Sequence, residues 1–216
     1  MFTGIVQAVG RLERVEPQGG DVRLAIGAEG LDLEKASLGD SIAVNGVCLT
    51  VVELSGRGFA ADASRETLSL TTLGGLKPGT PLNLESALTL STPLGGHLVS
   101  GHVDGLGEVV SRADDARAVR FRFRAPGGLA RYIARKGSIC IDGTSLTVNA
   151  VDGAYFDVAI IPHTLEQTII RHYREGTRVN LEVDLLARYL ERLLEAGEAS
   201  GDISREFLAR HGFGDR

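Results

Sequence analysis

Ser41-Ile42-Ala43-Val44-Asn45-Gly46-Val47-Cys48-Leu49-Thr50-Val51-Val52 reads as a β-hairpin. Two runs of strand-forming residues flank Asn45-Gly46, and both turn residues tolerate the positive φ of a two-residue type I′ turn. The pattern returns as Ser138-Ile139-Cys140-Ile141-Asp142-Gly143-Thr144-Ser145-Leu146-Thr147-Val148. One Asn-Gly is a common accident; an Asx-Gly at the same place in two copies is not. Working outward, Gly4, Gly10, Thr67, Gly79, Asn83 and Glu85 recur as Gly101, Gly107, Thr164, Gly176, Asn180 and Glu182, each 97 positions later. That interval far exceeds the roughly 20 to 50 residues of a solenoid unit, so a whole small domain is duplicated.

Around each hairpin, short Val, Ile and Leu runs are broken every few residues by Gly, Pro, Asn or Asp, the punctuation of a small all-β sandwich or barrel. Further strands are expected at Gly4 to Arg14, Val22 to Ile26, Gly58 to Ala63 and Pro81 to Ser86, with counterparts in the second copy. Five or six short antiparallel strands most simply close into a barrel, which removes exposed edges. The helix period is almost absent before residue 184. Beyond it, Leu186, Leu190, Leu193 and Leu194 fall on one face of an amphipathic helix running from Asp184 to Ala196. Such a stripe wants a partner: the same helix of another chain, or the chain's own barrel. Asp202 caps an expected second helix from Ile203 to His211, ended by Gly212. The expected domains are residues 1–97, 98–183 and a tail, 184–216.

A length of 216 residues accommodates two domains of this size. With 28 acidic and 23 basic side chains the net charge is −5, and no Lys/Arg cluster stands ready to neutralise a phosphate backbone, which argues against nucleic acid. No apolar run reaches the roughly 20 residues of a membrane span, and the start lacks the basic and apolar regions of a signal peptide. A cytoplasmic protein is expected. Its two cysteines, Cys48 and Cys140, align with Ser145 and Ala43 in the other copy, so the duplication preserves no disulfide pair and free thiols are expected. No Cys, His or carboxylate spacing suggests a metal.

The informative positions are those where the scaffold matches and the reactive side chain does not. Cys48 faces Ser145 in the alignment, His102 faces Ile5, and Lys136 faces Gly39. Strand alternation puts Cys48 and Thr50 on one face with Leu49 on the other, and likewise Ser145 and Thr147 around Leu146. Taken alone, a strand cysteine is ordinarily a small buried hydrophobe, a lone histidine is as often structural as a proton shuttle, and strand threonines are ordinary β-formers. Cys140, His97, His172 and His211 are assigned no role.

Four strings change those odds. Met1-Phe2-Thr3-Gly4-Ile5-Val6-Gln7, the stretch Asn45 to Val51, the junction Gly95-Gly96-His97-Leu98-Val99-Ser100-Gly101-His102-Val103 and the stretch Ile141 to Val148, in this order and with the constant repeat, resemble the riboflavin synthase alpha-chain family. The resemblance covers essentially the whole chain. It implies two tandem six-stranded Greek-key barrels with a C-terminal helix, an enzyme needing no cofactor or metal, and the conversion of two molecules of 6,7-dimethyl-8-ribityllumazine into riboflavin and 5-amino-6-ribitylaminouracil by transfer of a four-carbon unit. It further implies a homotrimer held by the helix, a working site between the first barrel of one chain and the second of a neighbour, and an association with lumazine synthase.

Carried over by position, the first pocket takes Gly4, Ile5, Val6, Cys48, Leu49, Thr50, Asp62, Ala63, Ser64, Arg65, Glu66 and Thr67. The second takes Gly101, His102, Val103, Lys136, Ser145, Leu146, Thr147, Ile160, Ile161, Pro162, His163, Thr164 and Leu165. Phe2, Ser41, Thr67 and Asp184 are expected supports. His163 departs from relatives that carry glutamate there, whereas its counterpart Glu66 is kept. The expected chemistry needs a modest base near the lumazine C7 methyl, assigned to His102 with Thr147 or Ser145. It also needs a group that adds to the acceptor ring or steers a hydroxyl onto it, assigned to Cys48. The alternative is a carrier that binds lumazine or flavin without turning it over.

Overall fold

The computed structural model describes residues 1–198. The first copy folds as β1 (Ala8–Gln18), β2 (Asp21–Gly27), β3 (Ser41–Val44), β4 (Val47–Ser55), β5 (Gly58–Ala63) and β6 (Pro81–Ser86), with a short helix α1 (Arg65–Leu70) before the last strand. The second copy repeats this as β7 (Gly105–Asp115), β8 (Ala118–Arg124), β9 (Ser138–Ile141), β10 (Thr144–Asp152), β11 (Tyr155–Ile160), α2 (Pro162–Gln167) and β12 (Arg178–Val183). Each strand and short helix of the second copy starts and ends 97 residues after its counterpart. The register shifts in β1 between Leu12 and Arg14 and in β4 between Val51 and Glu53 recur in β7 and β10, so even the bulges are duplicated.

Both sheets close into barrels of antiparallel strands in the order β1-β2-β5-β4-β3-β6 and its equivalent. Strands β3, β4 and β5 follow one another while β2 lies beside β5, which is Greek-key connectivity. Both hairpin turns sit in the left-handed region as their sequences predict, Asn45 at φ 47° and Asp142 at φ 42°. Alternation sorts the side chains: along β8, Val119, Phe121 and Phe123 point inward and Arg120 and Arg124 outward. The first core is mostly aliphatic, built on Leu12, Leu24, Ile26, Ile42, Leu82 and Leu84. In the second, the counterparts of Leu24 and Ile26 are Phe121 and Phe123, which pack with Phe156 and Tyr173 at ring separations of 5.4 to 6.5 Å.

Two expectations need correction. The first strand begins at Ala8, because Gly4 takes φ 75° and turns the chain out of the sheet. Helices exist before residue 184, though α1 and α2 have six residues each and so carry no readable period. Ser64 caps α1 by accepting from the Thr67 amide, and Pro162 starts α2, where its missing N–H costs nothing. The two barrels form one compact unit, Met1–Asp184. The second unit contains α3 (Leu185–Glu198), whose Leu186, Leu190, Leu193 and Leu194 are 60 to 69% exposed. The expected helix from Ile203 to His211 lies outside the described residues.

Candidate functional site

The barrels meet around a pseudo-twofold axis. Phe2 and Val99, equivalent positions, pair with each other through reciprocal backbone hydrogen bonds of 2.7 and 3.1 Å. The two hairpin turns stand back to back: a Cβ on Gly46 would lie 2.7 Å from the Gly143 nitrogen, and one on Gly143 2.8 Å from that of Gly46. Asn83 and Asn180, both buried, cross the junction. Each donates its side-chain amide to the opposite turn, to the Asp142 and Asn45 carbonyls at 2.8 Å. Each accepts from the opposite barrel as well, from the Ile169 and Thr72 amides at 2.8 Å.

The same axis exchanges the segments expected to line each pocket. The Cys48 amide donates to the Gly101 carbonyl at 2.8 Å, and the Ser145 amide to the Gly4 carbonyl at 2.7 Å. Gly4, Ile5 and Val6 therefore lie against the second barrel's Ser145, and Gly101, His102 and Val103 against the first barrel's Cys48, the reverse of the grouping by position. Val103 accordingly packs on the first core. The cause is local. Gly4 and Gly101, at φ 75° and 82°, lead the chain away from its own barrel, and a Cβ on either would sit 2.6 Å from the Cβ of Ser145 or Cys48. Two buried carboxylates hold the turned segments. Glu85 accepts from the Thr3 amide and hydroxyl, both at 2.7 Å, and from the Gly4 amide at 3.0 Å. Glu182 accepts from the Ser100 amide and hydroxyl at 2.6 and 2.7 Å, and from the Gly101 amide at 3.0 Å.

In the first pocket Cys48 is half-buried and Thr50 exposed on one face of β4, with Leu49 in the core and Ser41 opposite Thr50 on β3. Strand β5 runs antiparallel beside β4, so its end at Ala63 and α1 arrive at the Cys48 end. There the Asp62 carboxylate is held by Arg23 at 2.7 and 2.9 Å, which keeps it below the usual carboxylate range. Ser64 and Thr67 are engaged in capping, Arg65 reaches back to the Gly20 carbonyl, and Glu66 is exposed. In the second pocket Ser145 and Leu146 are half-buried and Thr147 exposed. Ile160 is in the core, Ile161, Pro162 and His163 are exposed, and Thr164 and Leu165 are half-buried. Lys136 is exposed at φ 69° and donates its amide to Val148 at 2.8 Å, as Gly39 at φ 92° does to Val51 at 2.9 Å. A side chain stands here where the other copy spends a glycine, at a cost of about 1 to 2 kcal/mol.

One residue assigned no role enters the site. His97 is buried, its amide donates to the Thr3 carbonyl at 3.1 Å, and its Nδ1 is 2.7 Å from Ser145 Oγ. Its Nε2 is buried with no hydrogen-bond partner among the described residues. Burial lowers its pKa against the opposing pull of Asp184, favouring a neutral ring. Ser145 thus has an imidazole hydrogen-bonded to its hydroxyl within the chain. The sequence signal is the Gly-Gly before His97, where a Cβ at Gly96 would lie 2.9 Å from Ser145 Oγ. His102, by contrast, is exposed and its ring makes no hydrogen bond to Ser145 or Thr147, because the exchange carries it to the Cys48 side. The expected pairing of His102 with these residues is not made within one chain.

A cleft of about 640 Å³ lies elsewhere, walled by Arg11, Glu13, Arg57 and Arg171, and no expected site residue lines it. Among the described residues no three His, Cys, Asp or Glu side chains gather as a metal would require, and no helix is long and apolar enough to cross a membrane.

Comparison with known proteins agrees with the duplication. The lumazine binding domain family model matches twice, at residues 3–87 and 100–184. Riboflavin synthase of Photobacterium phosphoreum is 45% identical over 216 residues, 99% of each chain. That of Brucella abortus is 48% identical over 200 residues, 90% of this chain and 98% of the relative. Among solved structures, LumP complexed with riboflavin superposes with a TM-score of 0.78 at 25% identity, covering 85% of this chain and 99% of the other.

Proposed function

Because this chain belongs to the riboflavin synthase family, we propose that it converts two molecules of 6,7-dimethyl-8-ribityllumazine into riboflavin and 5-amino-6-ribitylaminouracil on the residues described above. The observation that carries the reading is the pair of axis-related pockets that share backbone and differ in reactive groups. Two identical substrates need two like-shaped holders, and a donor and an acceptor need unlike chemistry. One substrate gives up four carbons and the other takes them, so no outside reagent is consumed.

The missing Cβ of Gly4 and Gly101 lets each turned segment lie directly against Ser145 or Cys48, so that the residues after it, Ile5 and Val6 or His102 and Val103, wall the pocket that receives the flat ring. Within a chain His102 stands beside Cys48 and faces outward, as do Thr50 and Thr147. We therefore place the reacting pair between the first barrel of one chain and the second of a neighbour, where His102 meets the neighbour's Thr147 and takes a proton from the donor's C7 methyl. Cys48 acts on the acceptor ring, and neutral His97 orients the Ser145 hydroxyl. Orientation of two bound rings supplies much of the rate, with effective molarities that can reach about 10⁵ M or more. The exposed leucine stripe of α3 supports assembly through that helix; we take the assembly to be a homotrimer and the cytoplasm to be where it works.

The decisive experiment mixes the purified protein with 6,7-dimethyl-8-ribityllumazine alone and follows riboflavin. Product in the absence of any other reactant is the expected result. Binding without product would overturn the catalytic reading in favour of a carrier, which the resemblance to LumP makes the runner-up.

A further inference from the structure

The expected site residues do not include the two groups that fix where each pocket's exchanged segment lies. Glu85 and Glu182 are buried, 3% and 5% exposed, and neither has a cationic partner among the described residues. Each accepts three hydrogen bonds from one short segment. A carboxylate taken out of water without a counter-charge is costly, and burial does push both pKa values up while the hydrogen bonds pull them down. The chain bears that cost at two equivalent places. In both, the segment held by the carboxylate hands its next carbonyl to the pocket strand of the opposite barrel. Glu85 holds Thr3 and Gly4, and the Gly4 carbonyl takes the Ser145 amide while the Thr3 carbonyl takes that of His97. Glu182 holds Ser100 and Gly101, and the Gly101 carbonyl takes the Cys48 amide.

We propose that Glu85 and Glu182 are positioning residues that act crosswise, Glu85 of the first barrel setting the pocket of the second, and Glu182 of the second barrel setting the pocket of the first. The inference rests on the assignment of these pockets to lumazine. Glutamine is a sharp probe of it. Its carbonyl oxygen can keep the two bonds from Thr3 or Ser100, but its amide then meets the Gly4 or Gly101 N–H, donor against donor. The perturbation falls on the glycine whose carbonyl reaches across.

The test measures amide hydrogen exchange in the full-length Glu85→Gln and Glu182→Gln proteins, together with alkylation of Cys48 by iodoacetamide, which Cys140 does not obscure because it is buried. In Glu85→Gln the Ser145 amide should exchange about tenfold faster, with the Cys48 amide and the labelling rate unchanged. In Glu182→Gln the Cys48 amide should speed up about tenfold and labelling rise, with Ser145 unchanged. Both variants should lower kcat more than they raise KM for lumazine. Thr3→Val and Ser100→Ala, which remove the hydroxyl that donates to the carboxylate and accepts from the Ile5 or His102 amide, should give the same pattern more weakly and serve if a glutamine variant does not fold. Effects confined to the mutated barrel, equal effects on both pockets, or no effect would each overturn the proposal. Exchange and labelling need no turnover, so a wild-type protein that made no riboflavin would sink the functional reading while leaving this result to stand or fall by itself.

Discussion

Replacing Asp142 with asparagine should stabilise the protein above neutral pH and leave it unchanged in acid. Asp142 lies in the second hairpin turn at the junction of the barrels, 3% exposed. Its carboxylate accepts from the Asn180 amide at 2.7 Å and from the Tyr173 hydroxyl, with no cation against it among the described residues. Burial outweighs those bonds and pushes its pKa from 3.8 to about 7. Since the folded value lies above the unfolded one, the group costs nothing below about pH 3.8; stability then falls as pH rises from there and the loss is complete once pH passes about 7. The interval corresponds to about 4 kcal/mol at about 1.36 kcal/mol per pH unit, an upper figure because a buried site relaxes around its charge. Asparagine fits: in the first copy Asn45 Oδ1 accepts the Asn83 amide at 2.8 Å in the same way, and the Tyr173 hydroxyl can turn to accept from the new amide. Urea unfolding at fixed protein concentration should show Asp142→Asn more stable by about 2 to 4 kcal/mol at pH 8.5 and equal to the parent near pH 4. Comparing the two proteins cancels the parallel contributions of Glu85 and Glu182. A gap that did not depend on pH, or a variant less stable at pH 8.5, would refute the reasoning.

Gly101→Ala places a Cβ 2.6 Å from that of Cys48 at a positive φ, so a loss of at least about 3 kcal/mol and slower turnover are expected; unchanged melting would show that the segment is not pinned. Cys48→Ser and His102→Ala should slow riboflavin formation while lumazine, followed by fluorescence titration, still binds. Wild-type turnover in both would remove their chemical roles and leave the overall function untouched. His97→Ala should lower kcat, and His97→Gln, which can still reach the Ser145 hydroxyl, should restore part of it; equal rates for the two would argue against orientation of Ser145.

The elements that were legible in the sequence are those specified by neighbours along the chain. Asn45-Gly46 and Asp142-Gly143 fix their turns, and the alternation of β8 fixes its faces. The helices α1 and α2 escaped because six residues show no period, although Ser64 and Pro162 marked where they start. The candidate residues were legible by copy-to-copy mismatch, but not their grouping. Nothing local tells Gly4 or Gly101 which barrel receives its carbonyl, since that follows from packing across the axis. His97 was not legible because its contact with Ser145, 48 positions away, is made by packing at the junction, which no local pattern specifies.

The pairing of Phe2 with Val99 carries a consequence for how the molecule is made. As the chain leaves the ribosome, Cys48 appears about 50 residues before the segment that completes its pocket, and Gly4 waits through the whole first barrel for Ser145. The first barrel can close its sheet early, yet its amino-terminal strand end stays untied until Val99 emerges to meet it. The first pocket waits for Gly101 to Val103, just ahead of β7, and the second for Ser145 on β10, so a truncated product ending before Gly101 would carry a finished scaffold and no finished site.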